Sequence, residues 1–374
     1  MKILLAPDKF RGSLDAPQVC EAMAEGIRMV SAGIETVSLP MADGGEGTLD
    51  LLLWYAGGQK KTAQVQDPLG RIINAEYGIS ADGKTAFIEM ATASGLSLLK
   101  TEERNPLQTS TYGTGELIKL VMEAGVKEVI LGIGGSATTD AGIGMAKALG
   151  WRFLDTAGQE VEAIGGNLSA IRQIIPSPLA AQLPKFQTAC DVTAPLYGPS
   201  GAAHVYGPQK GADAEAVKIL DKGLQDFAAI TGLPEETFKS PGFGAAGGLG
   251  FGTVFFLNAT LKEGVKLLMD FCDFDKHLSG VDLIITGEGK IDSQTLQGKL
   301  IKGITSKAGA IPVAALCGTL DTTPQQMKEM GISYAASVLN RPQTLNEALQ
   351  SGYAGVKDAT FYLVNMLYNL YQKR

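Results

Sequence analysis

Histidine is nearly absent from this sequence. The chain has 374 residues but only two histidines, His204 and His277. A zinc site with three histidine ligands is therefore impossible, and no His-Glu-x-x-His motif occurs. The scarcity of histidine therefore excludes a good deal of catalytic chemistry.

Cysteine, basic charge and long apolar runs are also scarce. The four cysteines lie far apart with no C-x-x-C pair, which disfavours a disulfide framework and a thiolate metal site and favours a reducing compartment. Lys and Arg number 32 against 39 Asp and Glu, a net charge of −7 without a basic block, so we expect neither a nucleic-acid nor a membrane partner. No run approaches the ~20 apolar residues of a membrane span, and the N-terminal run is too short for a signal peptide. We therefore expect a cytoplasmic protein.

The remaining composition is that of an ordinary globular chain. Hydrophobic residues make up 45% and charged residues 19%. At a typical ~150 residues per domain, the length predicts two domains.

Short apolar runs alternate with segments of helical spacing. Asp15 and Gln18 form a possible capping box before one such segment, Thr114 could cap another, and Thr344 with Glu347 precedes a long helical tail. Alternation of this kind predicts a doubly wound α/β sheet with parallel strands. The predicted strands span residues 3–6, 36–39, 128–133, 283–286, 313–317 and 334–338.

Two stretches depart from this alternation. Residues 60–92 contain strand patterns joined by tight turns at 67–70 and 81–84, which requires antiparallel pairing. Residues 151–274 mix short helices with glycine-rich loops. We interpret both as parts of a second, smaller α/β domain (60–104 and 151–274) that interrupts a discontinuous, Rossmann-like parallel-sheet domain (1–59, 105–150 and 275–374).

A glycine-rich turn follows the predicted strand at 128–133. Gly134, Gly135 and Ser136 could bring backbone N–H groups close to an anion, with a helix dipole behind them. The segment is neither a Walker A motif nor a clean dinucleotide fingerprint. A tight turn with close helix–sheet packing is the alternative.

Charged residues follow other predicted strands at the edge where ligands of open α/β sheets collect. Lys9 and Arg11 could hold a carboxylate or phosphate, and Asp43 and Glu46 lie among glycines after the second strand. Solvated surface loops are the alternative for both segments.

A third charged segment begins at Glu288. Acidic groups, a lysine and a predicted helix start suit Mg²⁺ and phosphate binding, although capping alone would explain Asp292. Glycine-dense stretches at 197–211 and 241–250 suggest binding loops shaped for close approach, with linkers as the alternative.

Together these segments resemble the type I bacterial glycerate kinase family, in order along nearly the whole chain. The matching motifs are APD at 6–8, MADGGEGT at 41–48, FIEMA at 87–91, GTGELI at 113–118, GIGGSAT at 132–138, CDVT at 190–193, YGPQKG at 206–211 and ITGEG at 285–289.

The resemblance implies ATP-dependent phosphorylation of D-glycerate, usually at the 2-hydroxyl, with Mg²⁺. It also implies a flavodoxin-like domain interrupted by a second α/β domain, with the active site in the cleft between them. The family often has Lys where Arg11 stands, Asn where Thr139 and Ala194 stand, and Arg where Lys290 stands.

On this basis we hypothesise roles for individual residues. Asp191 or Asp43 would act as the base or aligner for the substrate hydroxyl, with Lys9 assisting catalysis. The substrate-binding candidates are Asp8, Lys9, Arg11 and Lys299; the nucleotide-binding candidates are Gly134, Gly135, Ser136 and Lys290; the metal-binding candidates are Glu288, Asp292 and Glu46.

Other interpretations remain open at this point. One is a kinase that forms 3-phosphoglycerate from the same substrate, and another is a nicotinamide-dependent hydroxy-acid dehydrogenase using residues 132–135. A third is a sugar-acid sensor without catalysis, because fold alone does not establish activity. We expect a monomer or a homodimer.

Overall fold

The structure is a computed structural model that describes residues 1–42, 47–292 and 299–372, without the side chains of Lys299 and Tyr371. Two compact units divide the chain. The first unit comprises Met1–Leu51 and Gly264–Arg374, and the second comprises Leu52–Glu263.

Strands and helices alternate over much of the described chain. The strands are β1 (Lys2–Leu5), β2 (Glu35–Ser38), β3 (Gln59–Gln66), β4 (Ile72–Ile79), β5 (Thr85–Glu89), β6 (Glu128–Gly132), β7 (Arg152–Leu154), β8 (Gln173–Ile175), β9 (Lys185–Ala189), β10 (Thr260–Lys262), β11 (Leu283–Ile291), β12 (Val313–Leu320) and β13 (Tyr334–Ser337). The α-helices are α1 (Ala16–Val30), α2 (Thr48–Tyr55), α3 (Ala91–Ser94), α4 (Tyr112–Glu123), α5 (Ile143–Ala148), α6 (Ala202–Tyr206), α7 (Ala214–Ile230), α8 (Ala245–Leu257), α9 (Gly264–Phe271), α10 (Phe274–His277), α11 (Lys299–Ala308), α12 (Pro324–Glu329), α13 (Leu345–Gln350) and α14 (Gly352–Tyr371). Short 3-10 helices span Leu96–Leu98, Thr101–Glu103, Gly165–Ala170, Pro178–Ala181, Pro208–Lys210 and Glu235–Lys239.

The first unit contains the predicted parallel sheet. Its strand order is β13-β12-β11-β1-β2, and every neighbouring pair is parallel. Ile3, Leu5 and Ile285 are fully buried, as expected for strands covered on both faces. The parallel α/β fold class predicted from the sequence is confirmed for this unit.

Helix caps in the first unit follow the sequence in part. Asp15 accepts from the Gln18 N–H at 2.8 Å and Gln18 accepts from the Asp15 N–H at 3.0 Å, which confirms the predicted capping box. Thr344 and Glu347 form a second box, but the helix that they begin ends before Ser351. The predicted long tail is therefore two helices, α13 and α14.

The second unit is built on a mixed sheet of order β10-β9-β6-β5-β4-β3. The predicted meander is confirmed, since β3–β4 and β4–β5 are antiparallel, whereas β5, β6, β9 and β10 run parallel. Asp67 organises the first turn by accepting from the backbone N–H groups of Leu69 and Arg71, both at 2.9 Å. Thr114, predicted as a cap, lies inside α4 and is hydrogen-bonded to Ser94 at 2.8 Å.

The predicted domain boundaries need one correction. The sequence predicts residues 105–150 to belong to the Rossmann-like domain, but their strand β6 pairs with β5 and β9 in the second unit's sheet. The second unit, expected to be the smaller, is the longer of the two. An apolar strand buried on both faces has the same pattern in either sheet, so periodicity could not show which sheet β6 would join.

Two further features concern the cysteines and the helices. All four cysteines are buried free thiols. Burial raises the pKa of the Cys317 thiol to about 12, with a smaller contribution from the negative charge of Glu288. None of the helices within the described residues is both long and apolar enough to cross a membrane.

Candidate active site

The loop after β1 is hydrogen-bonded to the middle of β11 in the first unit. The Asp8 N–H donates to the Gly287 carbonyl at 2.8 Å, and the Thr286 hydroxyl donates to the Ala6 carbonyl at 2.8 Å. Asp8 is 7% exposed. The predicted substrate residues on this loop therefore lie beside β11, at the carboxyl edge of the parallel sheet.

Lys9 and Arg11 occupy a tight turn of this loop. Phe10 and Leu14 exchange backbone hydrogen bonds at 2.9 and 3.0 Å, which closes the turn. Arg11 is exposed at its tip and Lys9 is half-buried. A Cβ placed on Gly47 would lie 3.5 Å from Lys9 Nζ, so the ammonium is adjacent to the start of α2. The turn presents two cations at the edge where anionic substrates bind in such sheets.

Glu288, Lys290 and Asp292 are alternate residues along and just after β11, so they share one face. Lys290 Nζ lies 2.8 Å from an Asp292 carboxylate oxygen and 3.9 Å from one of Asp321. The hydrogen bond to Asp292 raises the pKa of Lys290. The structure thus brings Lys290 and Asp292 together as an ion pair.

Three other candidates have no described side chain. Asp43 and Glu46 lie outside the described residues. Lys299 is the first residue of α11, but its side chain is likewise outside the description.

In the second unit, three polar segments end at one edge of the sheet. The parallel register aligns Gly132 of β6 with Glu89 of β5 and with Ala189 of β9. Asp191 comes two residues after Ala189, and Gly134 two residues after Gly132. The structure therefore brings Asp191 and the glycine-rich turn to neighbouring strand ends, together with Glu89, to which sequence analysis gave no role.

The glycine-rich turn has an exposed tip and a buried base. Gly134 and Gly135 are exposed, whereas Ser136 is 7% exposed. A Cβ on Gly134 would meet no atom within 4 Å, so the space beside it is open. The Leu96 N–H donates to the Gly135 carbonyl at 2.8 Å, which holds the tip in place.

Asp140 holds the far end of this turn. It also changes the expectation that a helix dipole behind the turn would help to bind an anion. Its carboxylate accepts from the Thr111 N–H and hydroxyl, both at 2.8 Å, and from the N–H groups of Gly142 and Gly144 at 3.1 and 3.2 Å. The N-terminus of α5 is thus capped within the protein. An anion at Gly134 would be bound by the turn itself.

The stretch 241–250, interpreted from sequence as a binding loop, packs against this turn. A Cβ on Gly247 would lie 2.0 Å from the Thr138 carbonyl oxygen, and the φ of Gly247 is +68°. The Gly247 carbonyl also accepts a hydrogen bond from the Ala141 N–H at 3.1 Å. Close backbone packing, rather than an exposed loop, explains the glycine at this position.

Sequence analysis missed a lysine beneath the turn. Lys210, in the YGPQKG motif, is 1% exposed, and its Nζ donates to Ser136 Oγ at 2.7 Å and to the Thr138 carbonyl at 2.6 Å. The signal available in the sequence was a lysine placed among glycines and a proline. This signal was not sufficient, because the segment that Lys210 contacts lies about seventy positions earlier in the chain.

Comparison with known proteins decides the family. A sequence model described as the glycerate kinase family matches residues 3–368. The chain belongs to the glycerate kinase family. The resemblance inferred from the eight motifs is thereby confirmed, and the chain is an enzyme.

Named relatives cover almost the full chain. A glycerate kinase of Bacillus cereus is 44% identical over 93% of this chain and 93% of its own. The glycerate 2-kinase of Escherichia coli is 42% identical over 95% of both chains. A solved structure, of a protein provisionally named glycerate kinase 2 from Salmonella typhimurium LT2, has a TM-score of 0.89, 38% identity and full coverage of both chains. Membership of this kinase family disfavours the dehydrogenase alternative.

Proposed function

We propose that this glycerate kinase family member transfers the terminal phosphoryl group of ATP to the 2-hydroxyl of D-glycerate, giving 2-phosphoglycerate and ADP. The observation that supports this most strongly is the match over residues 3–368, together with a 42% identical relative named glycerate 2-kinase. In the reaction, the bond between the terminal phosphorus and its bridging oxygen breaks, a bond from phosphorus to the substrate oxygen forms, and the hydroxyl proton is released.

The polar residues of the two units suit this chemistry. Phosphoryl transfer depends on positioning and on charge stabilisation more than on a special nucleophile. The scarcity of histidine is therefore no obstacle to this reaction. Asp191, or Asp43, would accept the hydroxyl proton, and the backbone N–H groups of the exposed Gly134 and Gly135, with Ser136, would bind phosphate oxygens. Asp8, Lys9, Arg11 and Lys299 would hold the glycerate, and Lys290 would contact the nucleotide.

The acidic residues provide the ligands of a magnesium ion only in part. Within residues 1–42, 47–292 and 299–372 no group of three His, Cys, Asp or Glu side chains is arranged to hold a metal. Mg²⁺ in kinases needs only one or two carboxylates, because water and phosphate oxygens complete its shell. Glu288, Asp292 and Glu46 would supply these ligands. Bound Mg²⁺ would offset the negative charge of the phosphate groups.

An assay of ADP release tests the proposal. Purified protein is incubated with MgATP and, separately, D-glycerate, L-glycerate or tartronate, and ADP is measured through a coupled reaction. We expect release above the ATP-only background with D-glycerate and much less with L-glycerate. Binding of D-glycerate without any ADP release would instead support the sensor alternative.

Arg11→Met should weaken glycerate binding. Removal of a charge-assisted contact to the carboxylate is expected to raise the KM for D-glycerate roughly 10–100-fold, with a smaller effect on kcat. Steady-state kinetics at saturating MgATP measure this.

Two matched variants sharpen this test. Arg11→Lys, which keeps the charge, should recover most of the affinity. Arg28→Met, at the exposed end of α1, should leave KM unchanged. Equal KM values for Arg11→Met and wild type would remove Arg11 from the substrate site.

A further inference from the structure

Lys210 is an ionisable group buried at the base of the glycine-rich turn. It lies at the end of the 3-10 helix Pro208–Lys210, with 1% of its surface exposed. Burying an ammonium is costly unless it is paired and hydrogen-bonded. Its two described hydrogen bonds both reach the same segment, at Ser136 and Thr138.

These bonds act on the part of the turn that supports the exposed tip. Ser136 directly follows Gly135, and the Thr138 carbonyl is the group against which Gly247 packs. The buried hydroxyls of Thr138 and Thr139 have no hydrogen-bond partner among the described residues. The base of the turn therefore combines a buried amine with hydroxyl groups that have unused hydrogen-bonding capacity.

We propose that Lys210 is a positioning residue that holds the 134–138 turn for a phosphate group and takes up a proton when that group binds. This rests on the proposed function, since the phosphate is taken to be that of a nucleotide. Lys210 would act through Ser136 and Thr138, and its charge would lie beneath the exposed N–H groups of the tip.

The electrostatic surroundings make such a proton uptake feasible. Burial lowers the pKa of Lys210 to about 7, while the negative charge of Asp140 opposes this effect. Next in the chain, Gly211 lies against the Arg104 backbone carbonyl, and Asp213 caps α7. An uncharged lysine amine has two N–H groups, and the structure shows two acceptors for them, Ser136 Oγ and the Thr138 carbonyl. An anion nearby favours the ammonium form, so binding should draw a proton from solution.

The test is calorimetric titration with MgADP at pH 7 in buffers of different ionisation enthalpy. Wild type should take up more protons than Lys210→Gln, because the lowered pKa of Lys210 leaves part of its amine unprotonated before binding. Lys210→Gln keeps two N–H donors but cannot titrate, and its affinity should fall about tenfold. Lys218→Gln, on the exposed face of α7, should match wild type in both quantities.

A second measurement uses the wild-type protein alone, so it does not depend on whether a variant folds. Between pH 6 and pH 9 the affinity of wild type for MgADP should fall roughly 10–100-fold as Lys210 loses its proton. An affinity that does not change over this range, or equal proton uptake by wild type and Lys210→Gln, would overturn the role of Lys210 while leaving nucleotide binding intact. Failure of wild type to bind MgADP at any pH would overturn the nucleotide assignment and, with it, this proposal.

Discussion

Asp191→Asn is expected to lower kcat by roughly 10²–10⁴ while the KM values for ATP and D-glycerate change little. The amide cannot accept the hydroxyl proton, but it is almost the same size as the carboxylate. Asp191 follows β9 at the sheet edge that also carries Gly134, where a base for phosphoryl transfer would be useful. Steady-state kinetics with both substrates varied give the two quantities separately.

A control and an alternative base complete this experiment. Asp82→Asn changes an exposed carboxylate in the turn between β4 and β5, and it should keep kcat within about twofold of wild type. If Asp191→Asn turns over at nearly the wild-type rate, Asp191 is not the base, and Asp43→Asn becomes the variant expected to lose activity.

Asp140→Ala is expected to lower the free energy of unfolding by about 3–5 kcal/mol. The variant leaves the N–H groups of Thr111, Gly142 and Gly144 buried without their acceptor. It also removes the negative charge that favours the ammonium form of Lys210. Urea denaturation followed by circular dichroism measures the loss.

A matched carboxylate isolates the contribution of burial. Asp155 also accepts two backbone N–H groups, from Ala157 and Gln159 at 2.8 and 2.9 Å, but it does so in a surface turn. Asp155→Ala should cost about 1 kcal/mol or less, because water can replace the lost acceptor. Equal losses in the two variants would show that Asp140 does not anchor the glycine-rich turn.

The sequence predicted local structure better than it predicted which sheet each strand joins. Residues close together in the chain encode the strand segments, the antiparallel pairing near residues 60–92 and the capping box at Asp15. The structure has all of them. The pairing of β6 with β5 and β9 depends on contacts between distant segments, which periodicity does not encode.

The same distinction holds at the candidate site. Glycine and charge patterns after predicted strands pointed to Gly134 and Arg11, since strand ends of one direction share an edge. Asp191 was proposed from the family resemblance. Lys210 and Asp140 were not assigned roles, because their functions depend on partners brought close by the fold rather than on neighbours in the chain. A buried lysine differs from a surface lysine only in that tertiary context.

The central claim is phosphoryl transfer to the 2-hydroxyl of glycerate, and proton-coupled ³¹P NMR of the reaction mixture tests it most directly. With MgATP and D-glycerate, a new phosphomonoester signal should grow as the terminal phosphate signal of ATP declines. The one proton on carbon 2 should split this new signal into a doublet. A triplet would place the phosphate on the two-proton carbon 3, and the absence of any new phosphomonoester would contradict the kinase assignment itself.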